Sequence, residues 1–478
     1  MIELSRQQVR SVRTTLRQSL GLTSARRPPV VTFQGTSDAL LIRAINETTA
    51  VEHHVSGNYP AVSFALPYEA LTACEGRQND LVRFEQDGDL VTLHWSDAEI
   101  PQSAQFAVSE PSPMPEAPDN LVSINRQFLA AMADACDTTE TDSTRYALNC
   151  IRLRGTDGQI AATDGLQALV QSGYEFPWAE EVLVPASGAF TAKSLRDAQE
   201  VSIGKSPDWL FVRAGTWTFA LKIEKDRRFP AIDSQMPHVM AGTTTMVLAE
   251  QDAEFLMRAA SRLPNSDLGN APITVDLNGA VVIRAMAAEQ QSPTDLILRN
   301  SRRVGAELKV SSNRRFLQRA IQLGFREIHL RDVEDPAFCR DHRRNYLWAL
   351  LGKDNVLQPD TTAIRIESPT ISCPTRRTSA KPRPAQRVSS ETTDATRDRI
   401  SMTTPQSKLI SPTTAESNRP DSETLASLIE EGESLRGTLR EVLAQATGLV
   451  NGLKRQRRQS NLMWAALKSL RAVHAIDS

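Results

Sequence analysis

The chain has 478 residues, 40% hydrophobic and 23% charged, with a formal net charge of −2 at pH 7. That length leaves room for about two to four domains with their own cores, and the near-zero charge excludes a globally polybasic binder, so a nucleic-acid partner must be met by a local patch. Cys74, Cys136, Cys150, Cys339 and Cys373 form no CxxC and no disulfide framework, which fits a reducing cytoplasm; no run approaches 18 apolar residues, and the N-terminus reads as a polar helix rather than a signal peptide.

One pattern occurs three times with a period of roughly 120 residues: a short amphipathic helix, alternating strands, a second short helix and more strands. First helices begin near Leu4, Ile124 and Ala249, and second helices near Pro67, Pro185 and Ser311. The first repeat, 1–110, stripes Val9, Val12, Leu16 and Leu20 along its helix, and Asp87-Gly88 marks a hairpin. A Pro-rich connector, Pro111 to Pro118, precedes the second repeat, 120–242. There Phe128, Leu129 and Met132 are expected core, strands are expected at 146–153 and 160–162, and a helix at 188–198. The third repeat, 244–352, places Phe255, Leu256 and Ala259 on its first helix and Phe316, Leu317, Ala320 and Ile321 on its second.

Beyond the repeats the composition shifts. Residues 358–423 are rich in Thr, Ser, Pro and Arg and read as a disordered linker, too poor in large apolar groups to offset ordering entropy. In 423–478, Leu425, Leu428, Leu435, Leu439, Val442, Leu449 and Leu453 fall on 3- and 4-residue steps, a coiled-coil-like seam weakened at Gly432 and Ala446.

The second repeat contains Arg145-Tyr-Ala-Leu-Asn-Cys-Ile-Arg-Leu153, then Ile160-Ala-Ala-Thr-Asp-Gly165, Val182-Leu-Val-Pro-Ala186, Arg228-Phe-Pro-Ala-Ile232 and Gln235-Met-Pro237. In this order, inside a threefold repeat, the series resembles the bacterial DNA sliding clamp, the beta subunit of DNA polymerase III. The resemblance implies an α+β fold of three DNA-clamp domains, each with two short helices packed on antiparallel sheets. It implies a ring-shaped homodimer around double-stranded DNA, cytoplasmic and nucleoid-associated. It also implies a non-catalytic processivity factor without cofactor or metal, whose partners are the DNA polymerase III alpha subunit, the clamp loader and repair polymerases. A clamp-derived scaffold that assembles through 423–478 and no longer encircles DNA is the alternative.

Arg6, Arg10, Arg13 and Arg17 line one face of the first helix with no acid between Ser5 and Leu20, a pattern suited to phosphate. Arg314, Arg315 and Arg319 form a second basic run. Arg258 and Arg262, Lys193 and Arg196, Arg126, and the loop residues Arg26 and Arg27 complete the DNA-binding candidates. Such contacts would be sequence-neutral and salt-sensitive. By the family's motifs, Leu148, Thr163, Gly165, Leu166, Met236 and Pro237 fall on a pocket for a short apolar partner peptide, with Trp348 or Leu351 completing it. The chain departs from the family at Leu166-Gln167-Ala168, where His-Arg-Leu is usual, and by continuing for 126 residues after Gly352.

Enzymatic readings find little support. There is no P-loop and no nucleophile elbow. His53-His54 reads as an exposed pair, Cys339 to His342 lacks the second half of a zinc site, and Asp164 and Asp233 read as turn residues. A hydrolase around Asp164 would need a converging His or acid.

Overall fold

The computed structural model describes residues 1–23, 28–140, 146–196, 198–236, 242–267 and 269–370. These lie within one of the chain's two compact units, Met1–Arg377. Arg26, Arg27, Pro237, the side chains of Lys193 and Arg196, most of the expected linker and the coiled-coil-like seam lie outside the described residues.

The first repeat runs β1 (Ile2–Ser5), α1 (Arg6–Ser19), β2 (Val30–Gly35), β3 (Ala39–Ile45), β4 (Thr49–Ser56), β5 (Ser63–Pro67), α2 (Glu69–Cys74), β6 (Leu81–Asp87), β7 (Leu90–Asp97) and β8 (Ile100–Ala107). The second runs β9 (Val122–Ser123), α3 (Gln127–Cys136), β10 (Cys150–Arg154), β11 (Gln159–Thr163), β12 (Gln167–Gln171), β13 (Glu181–Pro185), a 3-10 turn (Gly188–Thr191), α4 (Lys193–Arg196), β14 (Val201–Lys205), β15 (Trp209–Ala214) and β16 (Trp217–Lys222). The third runs β17 (Thr244–Val247), α5 (Glu250–Ala260), β18 (Pro272–Asp276), β19 (Val281–Ala285), β20 (Thr294–Leu298), β21 (Arg302–Val304), β22 (Lys309–Asn313), α6 (Arg314–Gln322), β23 (Glu327–Leu330), β24 (Ala337–Arg340) and β25 (Arg344–Trp348). A last strand, β26 (Ile364–Glu367), follows.

Local chemistry accounts for the helix starts. Ser5 and Gln8 form a reciprocal capping box: the Ser5 hydroxyl accepts from the Gln8 N–H at 3.2 Å, and the Gln8 side-chain oxygen accepts from the Ser5 N–H at 2.8 Å. Val9, Val12 and Leu16 follow at helical spacing and are fully buried. Asn313 caps α6 by accepting from the Arg315 N–H at 2.9 Å.

The strands form four sheets that do not respect the repeat boundaries. Each repeat contributes two half-sheets, and neighbouring repeats join at their edges. β4 pairs antiparallel with β16, giving the eight-stranded order β5-β2-β3-β4-β16-β15-β14-β9. β12 pairs antiparallel with β25, giving β13-β10-β11-β12-β25-β24-β23-β17-β21. The remaining halves stand at the two ends, β1-β6-β7-β8 from repeat one and β22-β18-β19-β20-β26 from repeat three. One continuous apolar core serves repeats one and two, from Ile2 to Leu221; a second serves repeat three.

Three sequence expectations change. The 188–198 helix is a 3-10 turn and a four-residue helix, because Ala192 is extended (φ −66°, ψ 133°). The strand expected from Tyr146 begins only at Cys150. The third domain does not end at 352, nor does the linker begin at 358: residues 357–370 are packed against the third repeat, and β26 pairs with β20.

Candidate nucleic-acid interface

The helices pack their apolar sides on the sheets and leave their polar sides open. The four-arginine row on α1 divides according to what each guanidinium reaches. Arg10 and Arg17 are exposed. Arg13 is half-buried and ion-paired with Glu75. Arg6 is buried and does not belong to the interface. Its guanidinium donates to the Cys74, Glu75 and Ser96 carbonyls and to Asp97 at 2.8–3.2 Å, tying α1 to the end of α2 and to β7.

The basic run on α6 divides similarly. Arg314 is 5% exposed and donates to the carbonyls of Ala260 at 3.0 Å, Leu263 at 2.7 Å, Ala271 at 3.2 Å and Pro264. It caps the C-terminal end of α5, where backbone acceptors have no helical partner. Arg319 reaches back to repeat two, pairing with Asp134 at 3.2 Å and Asp137 at 3.4 Å. These two leave the phosphate-contact set; a stripe of basic residues shows nothing of acceptors brought in from 43 to 185 positions away. Arg315 stays on the exposed side of α6, and Arg126, Arg258 and Arg262 are exposed on or beside α3 and α5. Arg258 lies 4.0 Å from Glu254. A groove of about 500 Å³ beside α3 is lined by Arg126, Asp134, Asp137 and Phe190, so this surface carries both signs of charge.

The helices also lock the repeats together. Gln18 on α1 abuts Gly188, where a Cβ would lie 2.4 Å from the Gln18 carbonyl oxygen. The Ser187 hydroxyl donates to the Ser19 carbonyl at 3.0 Å, and the Thr15 and Ser194 hydroxyls are 3.0 Å apart. The first helix of repeat one thus meets the second helical segment of repeat two, just as Arg319 joins the first helix of repeat two to the second of repeat three. Burial raises the Asp134 carboxyl above its ordinary range, and the nearby Arg319 opposes that shift.

On the opposite face of the β12–β25 sheet, the segment after β16 folds over the strands. Phe229, Ile232 and Met236 form an apolar cluster with Ala168 and Val170 of repeat two and Phe338 and Leu347 of repeat three. The segment is anchored by Arg152, 3% exposed, whose two amino groups each donate to an Asp233 oxygen at 2.9 Å. The same guanidinium lies 5.0 Å from the Phe229 ring centroid. The hydrogen bonds from Arg152 hold the Asp233 carboxyl below its usual range. Asp233 opens a 3-10 turn, as a turn residue should, but its anchoring role was missed; the Arg-x-Arg of Arg152 and Arg154 on a strand was the available signal.

Of the expected peptide-pocket residues, Met236 lies in this cluster, while Leu148 is half-buried with its Cδ1 beside Gly165. Thr163 is buried, donating to the Gln167 carbonyl at 2.6 Å and accepting from the Gly165 N–H at 3.0 Å. Gly165 has φ +88°, a conformation that disfavours any side chain. Leu166 is 56% exposed at the rim. Trp348 does not take part. Strand alternation puts Leu347 on the cluster face and Trp348 on the helix face, where it is 1% exposed and donates to the Ser312 hydroxyl at 2.9 Å. Leu351 is half-buried and is not part of that cluster; its N–H bonds the Ser311 carbonyl on β22 at 2.9 Å.

Residues considered for catalysis are otherwise engaged. Asp164 accepts from the Leu166 and Gln167 N–H groups at 2.8 Å and from the Gln167 side chain at 3.0 Å. Cys339 is fully buried, which pushes its thiol up, while His342 is exposed. His53 is not an exposed strand residue: its ring stacks on Trp217 at 4.0 Å across the β4–β16 joint, and burial lowers its pKa to about 4.

Solved structures with this architecture include bacterial ones. The DNA polymerase III subunit beta from Pseudomonas aeruginosa superposes with TM-score 0.60 at 17% identity, over 74% of this chain and 100% of that one. The DNA polymerase III beta chain from Streptococcus pneumoniae gives 0.61 at 12%, over 73% and 99%. A putative beta subunit from Eubacterium rectale gives 0.59 at 13%, over 73% and 99%. This chain has the sliding-clamp fold. No family model and no curated protein matches it. The clamp fold accounts for the three repeats, whereas about a quarter of the chain has no counterpart in those structures. Among the described residues, no helix is long and apolar enough to cross a membrane.

Proposed function

We propose that this protein is a DNA sliding clamp, a non-catalytic processivity factor whose copies close head to tail around duplex DNA. The observation that carries the reading is the repeated joint. Repeat one meets repeat two, and repeat two meets repeat three, through the same antiparallel edge pairing and the same contact between helical segments. The unjoined halves, ending in β8 and in the β20 side of repeat three, are the two parts of a third such joint. A second copy supplies both, which makes a closed homodimer.

Exposed Arg10, Arg17, Arg126, Arg258 and Arg262, with Arg315, supply the sequence-neutral attraction. Arg26, Arg27, Lys193 and Arg196 belong to the same proposed set. The sparseness of this lining suits a clamp, since topology rather than affinity retains the DNA. The surface around Leu148, Gly165, Leu166 and Met236, with Thr163 supporting its turn and Pro237 following, is the proposed dock for apolar peptides of DNA polymerase III alpha, the loader and repair polymerases. The setting is cytoplasmic, at the nucleoid.

The test is loader-dependent retention on a nicked circular plasmid. A clamp stays bound through gel filtration and slides off after linearisation; retention that ignores linearisation, or no retention at all, overturns the reading. One observation favours the alternative, a clamp-derived scaffold that does not encircle DNA: β26 already occupies the edge of β20.

A further inference from the structure

After β25 the chain crosses the third repeat's sheet to the edge of β20. The Leu357 N–H donates to the Thr274 hydroxyl at 2.8 Å, and the Leu357 carbonyl accepts from Arg284 at 3.2 Å. β26 then pairs in parallel with β20, Thr294 opposite Ile364 and Leu296 opposite Ile366. The Ile364 N–H bonds the Pro293 carbonyl and the Ser368 N–H bonds the Ile297 carbonyl, both at 2.9 Å. In repeats one and two the equivalent edges, β4 and β12, receive an antiparallel strand from the next repeat. In repeat three that place is taken by the chain itself, while among the described residues the complementary edge of β8 runs eight residues unpaired.

We infer that β26 is a releasable latch on the β20 edge, and that the strand it holds off is β8 of a second copy of this chain. The inference rests on the head-to-tail reading above and adds a control step to it. The manner in which β26 is held argues for release. Its two isoleucines are 58% and 44% exposed, so hydrophobic burial contributes little. Ser368 is its buried anchor, accepting from the Arg299 N–H at 2.9 Å; the Glu367–Arg299 pair is exposed on both sides.

Beneath the crossing segment lies a charged triad rather than an apolar face. Arg284 binds Asp295 at 2.8 and 3.1 Å and Asp276 at 3.0 Å, all three 3–4% exposed. Covering ions in this way brings little net stability, and uncovering them returns hydration. The second copy offers a longer strand, with α5 meeting that copy's α2 as the other helical joints do. Displacing β26 exchanges a four-residue parallel pairing for that joint.

The test uses the full chain and reads amide hydrogen exchange in Ile100–Ala107 across a concentration series, so association through other segments does not count. Ile364→Pro removes a latch hydrogen bond and disfavours the strand. A Thr294→Cys/Ile364→Cys pair locks the latch by a reversible disulfide. We expect Ile364→Pro to protect β8 at a concentration at least about tenfold lower than the unmodified chain. The oxidised lock should leave β8 unprotected until reductant is added. A locked chain that protects β8 like the unmodified one overturns the latch and makes β26 part of the closing sheet. Absence of protection in every variant, at all concentrations, overturns the head-to-tail reading itself.

Discussion

Arg152 and Asp233 join two parts of the chain 81 residues apart through a two-toothed contact, both bonds at 2.9 Å, with the guanidinium buried and the carboxylate half exposed. Asp233→Asn leaves the buried Arg152 with only the more distant Glu181 carboxylate, 3.9 Å away, as a counter-charge. The expected loss is about 1–3 kcal/mol in urea unfolding at pH 7, below the cost for a fully buried pair because Asp233 is partly hydrated. Because its carboxyl is held below the usual range, the unmodified protein draws this stability above the unfolded carboxylate pKa. It loses that stability as pH falls through the lower folded value. The substitution should remove that part of the acid sensitivity.

The arginines separate into two groups with opposite signatures. Arg10→Ala with Arg17→Ala should leave the melting temperature nearly unchanged. It should flatten the salt dependence of DNA association by about 0.9 in log–log slope for each phosphate that is no longer neutralised. Arg314→Ala should do the reverse, costing about 2–4 kcal/mol by stranding the α5 carbonyls while leaving the salt slope unchanged. Circular dichroism melts paired with fluorescence anisotropy on duplex DNA separate the two outcomes.

His53 makes the joint between repeats one and two sensitive to mild acid. Its pKa is about 4 when folded against an ordinary value near 6.5, so the unfolded chain takes up the proton first. Stability is full above pH 6.5 and falls by up to about 3 kcal/mol as pH drops toward 4. His53→Phe keeps the stack on Trp217 and should abolish this slope, measured as the denaturation midpoint between about pH 7 and pH 4.5.

Gly188→Ala tests the contact between helical segments. The added methyl would meet the Gln18 carbonyl oxygen at 2.4 Å, and backbone cannot swing aside as a side chain can. The expected cost is about 1–3 kcal/mol, with α1 and the 3-10 turn forced apart. Faster amide exchange at the C-terminal end of α1 than in unmodified protein is the check.

Much of the architecture was legible beforehand. The period of helices and strands, the Asp87-Gly88 turn and the apolar stripe of α1 all carry local signals. β8 was missed because Ile-Pro-Gln-Ser-Ala-Gln-Phe-Ala alternates weakly and contains a proline that only an edge strand tolerates. Arg6, Arg314 and Arg319 were misassigned because their acceptors come from distant segments. Trp348 went to the wrong face because a one-position error in a strand reverses every side chain. β26 lay hidden in a composition that reads as linker, since its hold is made of backbone and polar contacts rather than apolar burial.

The common core of the first two repeats separates heredity from cooperativity. A unit copied three times in the gene is not the unit that melts. Severing the chain at the Pro111–Pro118 connector would split one interior in two and bare the ladder between β4 and β16. The third repeat fills its interior largely from itself but takes Leu169 of repeat two into it and shares the β12–β25 ladder, so its melting is tied to its neighbour through that joint.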